Sequence, residues 1–352
     1  VLKGSRVEEV VNSAGAIHTG GSHSHGGGIA GSVSDSVIHD SVNTGTVFTT
    51  GHASAGGIAG LADQSSSTSN NLNTGKIASR NVVSSPAGGI VGALKSNSVA
   101  NNNVNTGEVN AAQTESSGGI VGDGTTARIL HNLNTGKISS DHHAGTPWIH
   151  GFGTSGGIVG SARSQTLVSK NLNTGSISAK SHTHVGGIAG HITNALVVQN
   201  ANAGSVTTDG MDAEAGGIVG ETLSGSIHDN LNAGAVIGKD SEFDGQSPTG
   251  GITGDLRNWG SVYNNVNTGL VHARPYNKMS PAVAKLHQAG SIKNNLDTFT
   301  RYRQPYDRSD GYNRGVVRVP KSALKSNLNG LNSDLWNAGD ATQLPMLKGV
   351  NT

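Results

Sequence analysis

One five-residue string returns eight times along this 352-residue chain: Gly-Gly-Ile, then Val, Ala or Thr, then Gly. Its isoleucines are Ile29, Ile58, Ile90, Ile120, Ile158, Ile188, Ile218 and Ile252. Most intervals are close to 30 residues, stretching to 38 before Ile158 and 34 before Ile252. A second string follows each copy, Asn-x-Asn, then Thr or Ala, then Gly-x-Ile/Val; Asn71-Leu72-Asn73-Thr74-Gly75-Lys76-Ile77 is typical. Weaker copies sit at Gly15, at Val283 and at Asn295-Leu296-Asp297. A period of this size means a solenoid or an array, because one such unit cannot bury its own few aliphatics and must stack on its neighbours.

Each unit reads as short β-type runs separated by glycine and asparagine turns, with no helical period in the array. The predicted fold is all-β: a parallel β-helix of about nine coils, its strands about 4.8 Å apart along the axis. Right-handed coiling is expected. Three side chains per coil are expected to stack inward: the recurring isoleucine, the Leu or Val between the two asparagines, and the Ile or Val after the glycine. Asn73, Asn105, Asn134, Asn173, Asn202, Asn232 and Asn267 are expected to form a ladder, each amide bonding the next coil. Residues 1–298 form the predicted solenoid and 299–352 a non-repetitive strap and cap on its last coils or exposed edge.

Composition agrees with a narrow core of closely stacked small residues. Glycine contributes 53 residues, aromatics 3% and charged residues 13%, against about 25% charged in an average globular protein. With 24 basic and 23 acidic residues, nothing pulls the chain toward nucleic acid or an anionic membrane. No apolar run is long enough to span a bilayer. The absence of cysteine excludes a disulfide scaffold, a thiol nucleophile and cysteine-ligated metal. It also fits bacterial export, and a chain opening on Val1 is expected to derive from a longer precursor.

The repeat divides into two arcs. From the first glycine of Gly-Gly-Ile to the glycine of Asn-Thr-Gly every coil has 18 or 19 residues. The return arc varies from 11 to 20. Solenoids that place all insertions on one face often bind with that face. The longest insert carries His142, His143, Trp148, His150 and Phe152, and the next is acidic, with Asp240, Glu242 and Asp244. His142, His143, Trp148, His150, Glu242 and Asp244 are therefore candidate binding residues. Tyr302 and Tyr306 join them from a Tyr/Arg-rich stretch suited to sugar rings and anionic groups.

Histidines follow the same geography. Six residues before the isoleucine stand His23, His52, His182 and Asp212; four before it stand His25, His184 and Glu214. Equal offsets stack in a solenoid, so His182 and His184 are expected beside Asp212 and Glu214, with His23, His25 and His52 clustered at the other end. Imidazole beside carboxylate suits acid–base catalysis or a divalent metal, and His23, His25 and His52, with no carboxylate at hand, suit a divalent metal more than catalysis. A solvated surface that happens to carry histidines is the plain alternative for both groups. Glycine-rich matches to dinucleotide-binding and nucleophile-elbow spacings near Gly151–Gly157 lack the helix those devices need. The single threonine column Thr74, Thr106, Thr135 and Thr174, broken at Ala203 and Ala233, is a poor ice-binding face.

The repeated Gly-Gly-Ile-Val-Gly…Asn-x-Asn-Thr-Gly-x-Ile resembles the GLUG motif of secreted bacterial proteins. These include non-catalytic regions of streptococcal IgA-peptidase-like proteins and filamentous-haemagglutinin-like adhesins. The ending Leu335-Trp336…Leu344-Pro345-Met346-Leu347 is similar to the closing segment that often follows such repeats. The resemblance implies a secreted or cell-surface location and an adhesin or passenger role. Its motif positions are structural, so it implies no catalytic residue. Together the readings favour a segment that engages glycan, or a host or matrix surface, through the insert-bearing face. The alternative is a polysaccharide lyase or hydrolase using His182, His184, Asp212 and Glu214, and a third is an inert spacer.

Overall fold

A computed structural model describes residues 1–13, 15–21, 24–80, 85–112, 116–141, 153–180, 182–210, 212–239, 247–273, 279–280, 282–287, 290–298, 315–320, 333–337 and 346–348. Among them there is no helix, and therefore no helix long and apolar enough to cross a membrane. The chain winds as a β-solenoid with five short strands per coil. In the coil of Ile58 these are Ser54–Gly56, Ala59–Asp63, Ser67–Ser69, Leu72–Asn73 and Ile77–Arg80. Corresponding strands of successive coils pair in parallel and build five long sheets, here sheets 1 to 5 in that order. They hold nine, ten, ten, eleven and nine strands among the described residues.

Two aliphatic columns fill the interior. The recurring isoleucines stack with residues of sheets 2 and 3, such as Val33, Leu94, Ile129 and Val197. The Ile or Val after the glycine (Val47, Ile77, Val109, Ile138) stacks on sheet 1 residues such as Ala55, Val185 and Ala215. Both columns are as expected. The third is not: Leu72, Val104 and Leu133 lie on the outer surface, half-buried, while Asn71 and Asn73 are buried. Side chains on a strand alternate between faces, so two inward asparagines force the residue between them outward.

Both asparagines form ladders from the second repeat on, one more ladder than expected; in the first repeat Ser41 stands where Asn71 does. In the ladder of Asn73, each Nδ2 donates to the Oδ1 one coil on, at 2.7–3.0 Å, from Asn12 through to the carboxylate of Asp297. The ladder of Asn71 runs beside it from Asn71 to Asn295 and also accepts from the backbone. Its corner is set by a left-handed residue in the preceding position, such as Asn70 at φ 56° or Asn102 at φ 53°. The glycines of Gly-Gly-Ile keep this interior accessible: a Cβ on Gly57 would stand 2.4 Å from Cγ of Asn73.

The C-terminal region contributes where described. Val316–Arg318 adds a parallel strand to Asn295–Asp297 at the end of sheet 4. Trp336 is buried and belongs to the same apolar cluster as Leu172, Ala201, Leu231, Val266 and Leu296 of that sheet's outward column. In these later coils the column is buried, whereas Leu72 is half-buried.

An interior amide is tolerated only while its hydrogen bonds are made. Asn173→Ala removes the acceptor of Asn134 and the donor to Gly175 and Asn202. It is expected to destabilise the central coils by about 2–4 kcal/mol, while Thr174→Ala next door on the surface costs less than about 0.5 kcal/mol. Urea unfolding followed by circular dichroism checks the contrast.

Candidate functional site

Between sheets 1 and 2 the chain reverses in a few residues, and glycines let the two sheets touch. A Cβ on Gly60 would lie 2.9 Å from the backbone nitrogen of Gly26 on the facing sheet. Away from those glycines, longer side chains fill the seam. In the coils of Ile188, Ile218 and Ile252 that filling is ionised.

His184 and Glu214 lie at the start of the sheet 1 strands Thr183–Gly186 and Glu214–Gly216 and are paired in register, as equal offsets require. Across the seam, His191, Glu221, Asp255 and Lys285 are successive partners on sheet 2. His184 spans both walls: Nδ1 meets Glu214 Oε2, and Nε2 lies 3.1 Å from Glu221 Oε2. Arg257 ties the acids together, with Nε 2.9 Å from Glu221 Oε1 and Nη2 at 3.4 Å from Glu214 Oε1 and 2.9 Å from Asp255 Oδ2. His191 Nε2 is 3.6 Å from Glu221 Oε2. Lys285 and His287 reach Asp255 Oδ2 at 3.6 and 3.0 Å.

This cluster is closed to solvent. His184, Glu214, Glu221 and Asp255 are 4%, 5%, 4% and 0% exposed. Burial alone would depress the His184 pKa, but Glu214 and Glu221 outweigh it and hold the imidazole above its usual range. A carboxyl oxygen stands at each ring nitrogen, an arrangement that favours the imidazolium form, in which both nitrogens donate. Burial raises Glu214 too, yet His184 and Arg257 bring its pKa below normal. Burial pushes Glu221 up, helped by Glu214 and Asp255. His191 is driven down to about 3 by burial and by the cations His184 and Arg163, so it is neutral.

The sequence-based expectation of a four-residue patch on the insert-bearing face is corrected in two respects. His182 and Asp212 pair in the next position outward, Nδ1 to Oδ2 at 3.6 Å, with side chains 28% and 43% exposed. The inner pair, His184 and Glu214, is shut inside the seam because sheet 2 covers it. Among the described residues, the set whose ligand atoms lie within 4.8 Å of one another is His184, Glu214 and Glu221, without His182 or Asp212.

At the other end His25 is in register with Ser54, His52 is exposed, and His23 lies outside the described residues. So do His142, His143, Trp148, His150, Glu242, Asp244, Tyr302 and Tyr306.

Sequence reasoning missed Glu221, His191, Asp255 and Arg257. The signal was present. His191, Glu221 and Asp255 each stand three residues after the recurring isoleucine, the offset occupied by Ser32, Leu61 and Ala93 in the first coils.

Arg257 faces three buried carboxylates, so removing it leaves them without their shared guanidinium. Arg257→Met is expected to cost about 3 kcal/mol, at the lower end for a broken buried pair because the arginine is itself one-third exposed. Glu221→Gln in the same background should recover part of that loss, and a double-mutant cycle in urea measures the coupling.

Comparison with known protein families, with curated proteins and with solved structures finds no match to this chain, so geometry and sequence carry the functional argument.

Proposed function

We propose that this chain is a binding segment of an exported bacterial surface protein, a stiff β-solenoid whose insert-bearing edge engages glycan or a host or matrix surface. The observation that carries the reading is where the length variation falls. The large changes in coil length lie between the end of a sheet 5 strand and the start of the next sheet 1 strand, as between Asp141 and Gly153 or Lys239 and Thr249. The arc through the other three sheets varies by a single residue. A scaffold of constant section with inserts along one edge is suited to recognition, since the loops vary while the frame holds their spacing.

The burial of His184 and Glu214 favours this reading over a hydrolase or lyase centred on them. A general acid or base must come within hydrogen-bond reach of its substrate, and sheet 2 and Arg257 stand in the way. The absence of cysteine and the resemblance to GLUG repeats support an extracellular setting.

The test is size-exclusion chromatography of neutral, uronic and sulfated polysaccharides incubated with the protein. Co-elution with intact chains is expected, reduced at least about tenfold in apparent affinity when residues 142–152 are replaced by a short glycine-serine turn, and unchanged by Glu214→Gln. Shortened polysaccharide that Glu214→Gln abolishes would overturn the reading in favour of an enzyme.

A further inference from the structure

The seam between sheets 1 and 2 holds more anionic oxygen than its arginine can serve. Asp255 uses Oδ2 for Arg257, Lys285 and His287, and its Oδ1 is buried with no hydrogen-bond partner among the described residues. Glu214 and Glu221 sit beside it, and ligand atoms of His184, Glu214 and Glu221 already lie within 4.8 Å of one another. A second imidazole is at hand: the His191 ring centroid is 5.9 Å from that of His184, and its Nε2 is 3.6 Å from Glu221. As a neutral ring, His191 has a lone pair to give.

We propose that this seam is a binding site for a borderline divalent cation such as zinc, ligated by His184, His191, Glu214 and Glu221. Two imidazoles and two carboxylates suit zinc, whereas calcium and magnesium prefer all-oxygen shells. Bonds of about 2.0–2.1 Å would draw the ligand atoms of His184, Glu214 and Glu221, now within 4.8 Å of one another, to about 3.4 Å apart, and His191 would give up its 3.3 Å contact with Thr193 Oγ1 to move in and complete the shell. Arg257, one-third exposed, can withdraw toward Asp255 as the carboxylates turn to the ion.

The exchange balances in protons. One N–H bond of the His184 imidazolium breaks, its proton passes to the buffer, and the freed nitrogen lone pair binds the metal. The other ring nitrogen keeps its hydrogen, accepted by the oxygen of its flanking glutamate that does not ligate. One proton is therefore released per ion bound. None of this depends on what the insert edge recognises.

The experiment titrates zinc chloride into the whole chain by calorimetry in two buffers of different ionisation heat, with calcium chloride as comparison. Zinc-edge X-ray absorption is then recorded on the loaded, unmodified protein. One zinc per chain, about one proton released, and a shell containing two imidazoles are expected. Glu214→Gln and Glu221→Gln should each weaken binding by at least about tenfold, and His52→Ala should not.

Failure to bind zinc, equal affinity for calcium, or a shell without imidazole would overturn the proposal. So would undiminished binding in the two folded Gln variants, which would place the ion on surface histidines. If those variants do not fold, the absorption spectrum of the unmodified protein decides.

Discussion

The amide-to-amide hydrogen bond between equivalent asparagines is the interaction on which the stack depends. Each interior amide is satisfied by the same residue one coil away and by a nearby carbonyl, as Asn73 is by Asn105 and Gly75. Register therefore cannot slip by a residue without turning a row of amides out and a row of aliphatics in. This explains why the arc carrying Gly-Gly-Ile and Asn-x-Asn holds its length. Among the described residues no amide ladder crosses the corner between sheets 5 and 1, and that corner is where insertions collect.

Much of this was legible in the residues because a solenoid converts equal sequence offsets into contact. The buried isoleucines, the ladder of Asn73 and the pairing of His184 with Glu214 all follow from that rule alone. Leu72 was misread because hydrophobicity was weighed ahead of alternation; Asn71, two residues before Asn73, already settled which way Leu72 faces. The seam was harder. Glu221 and Asp255 stand in a column that holds Ser32, Leu61 and Ala93 in the first coils and carries a charge earlier only at Asp123. Their burial depends on how closely sheets 1 and 2 approach, which glycines on both walls decide together.

The ionised seam stands out in a chain with so few charged residues, and its position ties it to the variable edge. Sheet 1 begins where each insert ends, so His184 and Glu214 are among the first residues the chain fixes after an excursion. Arg257 reaches back from the coil of Ile252 to Glu214 in the preceding coil, across the re-entry point of the acidic insert. The cluster thus anchors the strands that bear the inserts, while the inserts remain free to differ.

The ladder of Asn73 also has a direction. All its amides donate toward the C-terminal coils, and the last acceptor is Asp297. An asparagine in that place would still have an amide hydrogen to pass on, whereas a carboxyl group has none. The substitution of one oxygen for one NH2 group therefore acts as punctuation: it receives the final amide bond, and the next residue in register is Arg318 rather than another asparagine. The two ends of the rod are chemically unlike as a result, and any lengthening of this column beyond Asp297 would first require that the full stop be changed back to a comma.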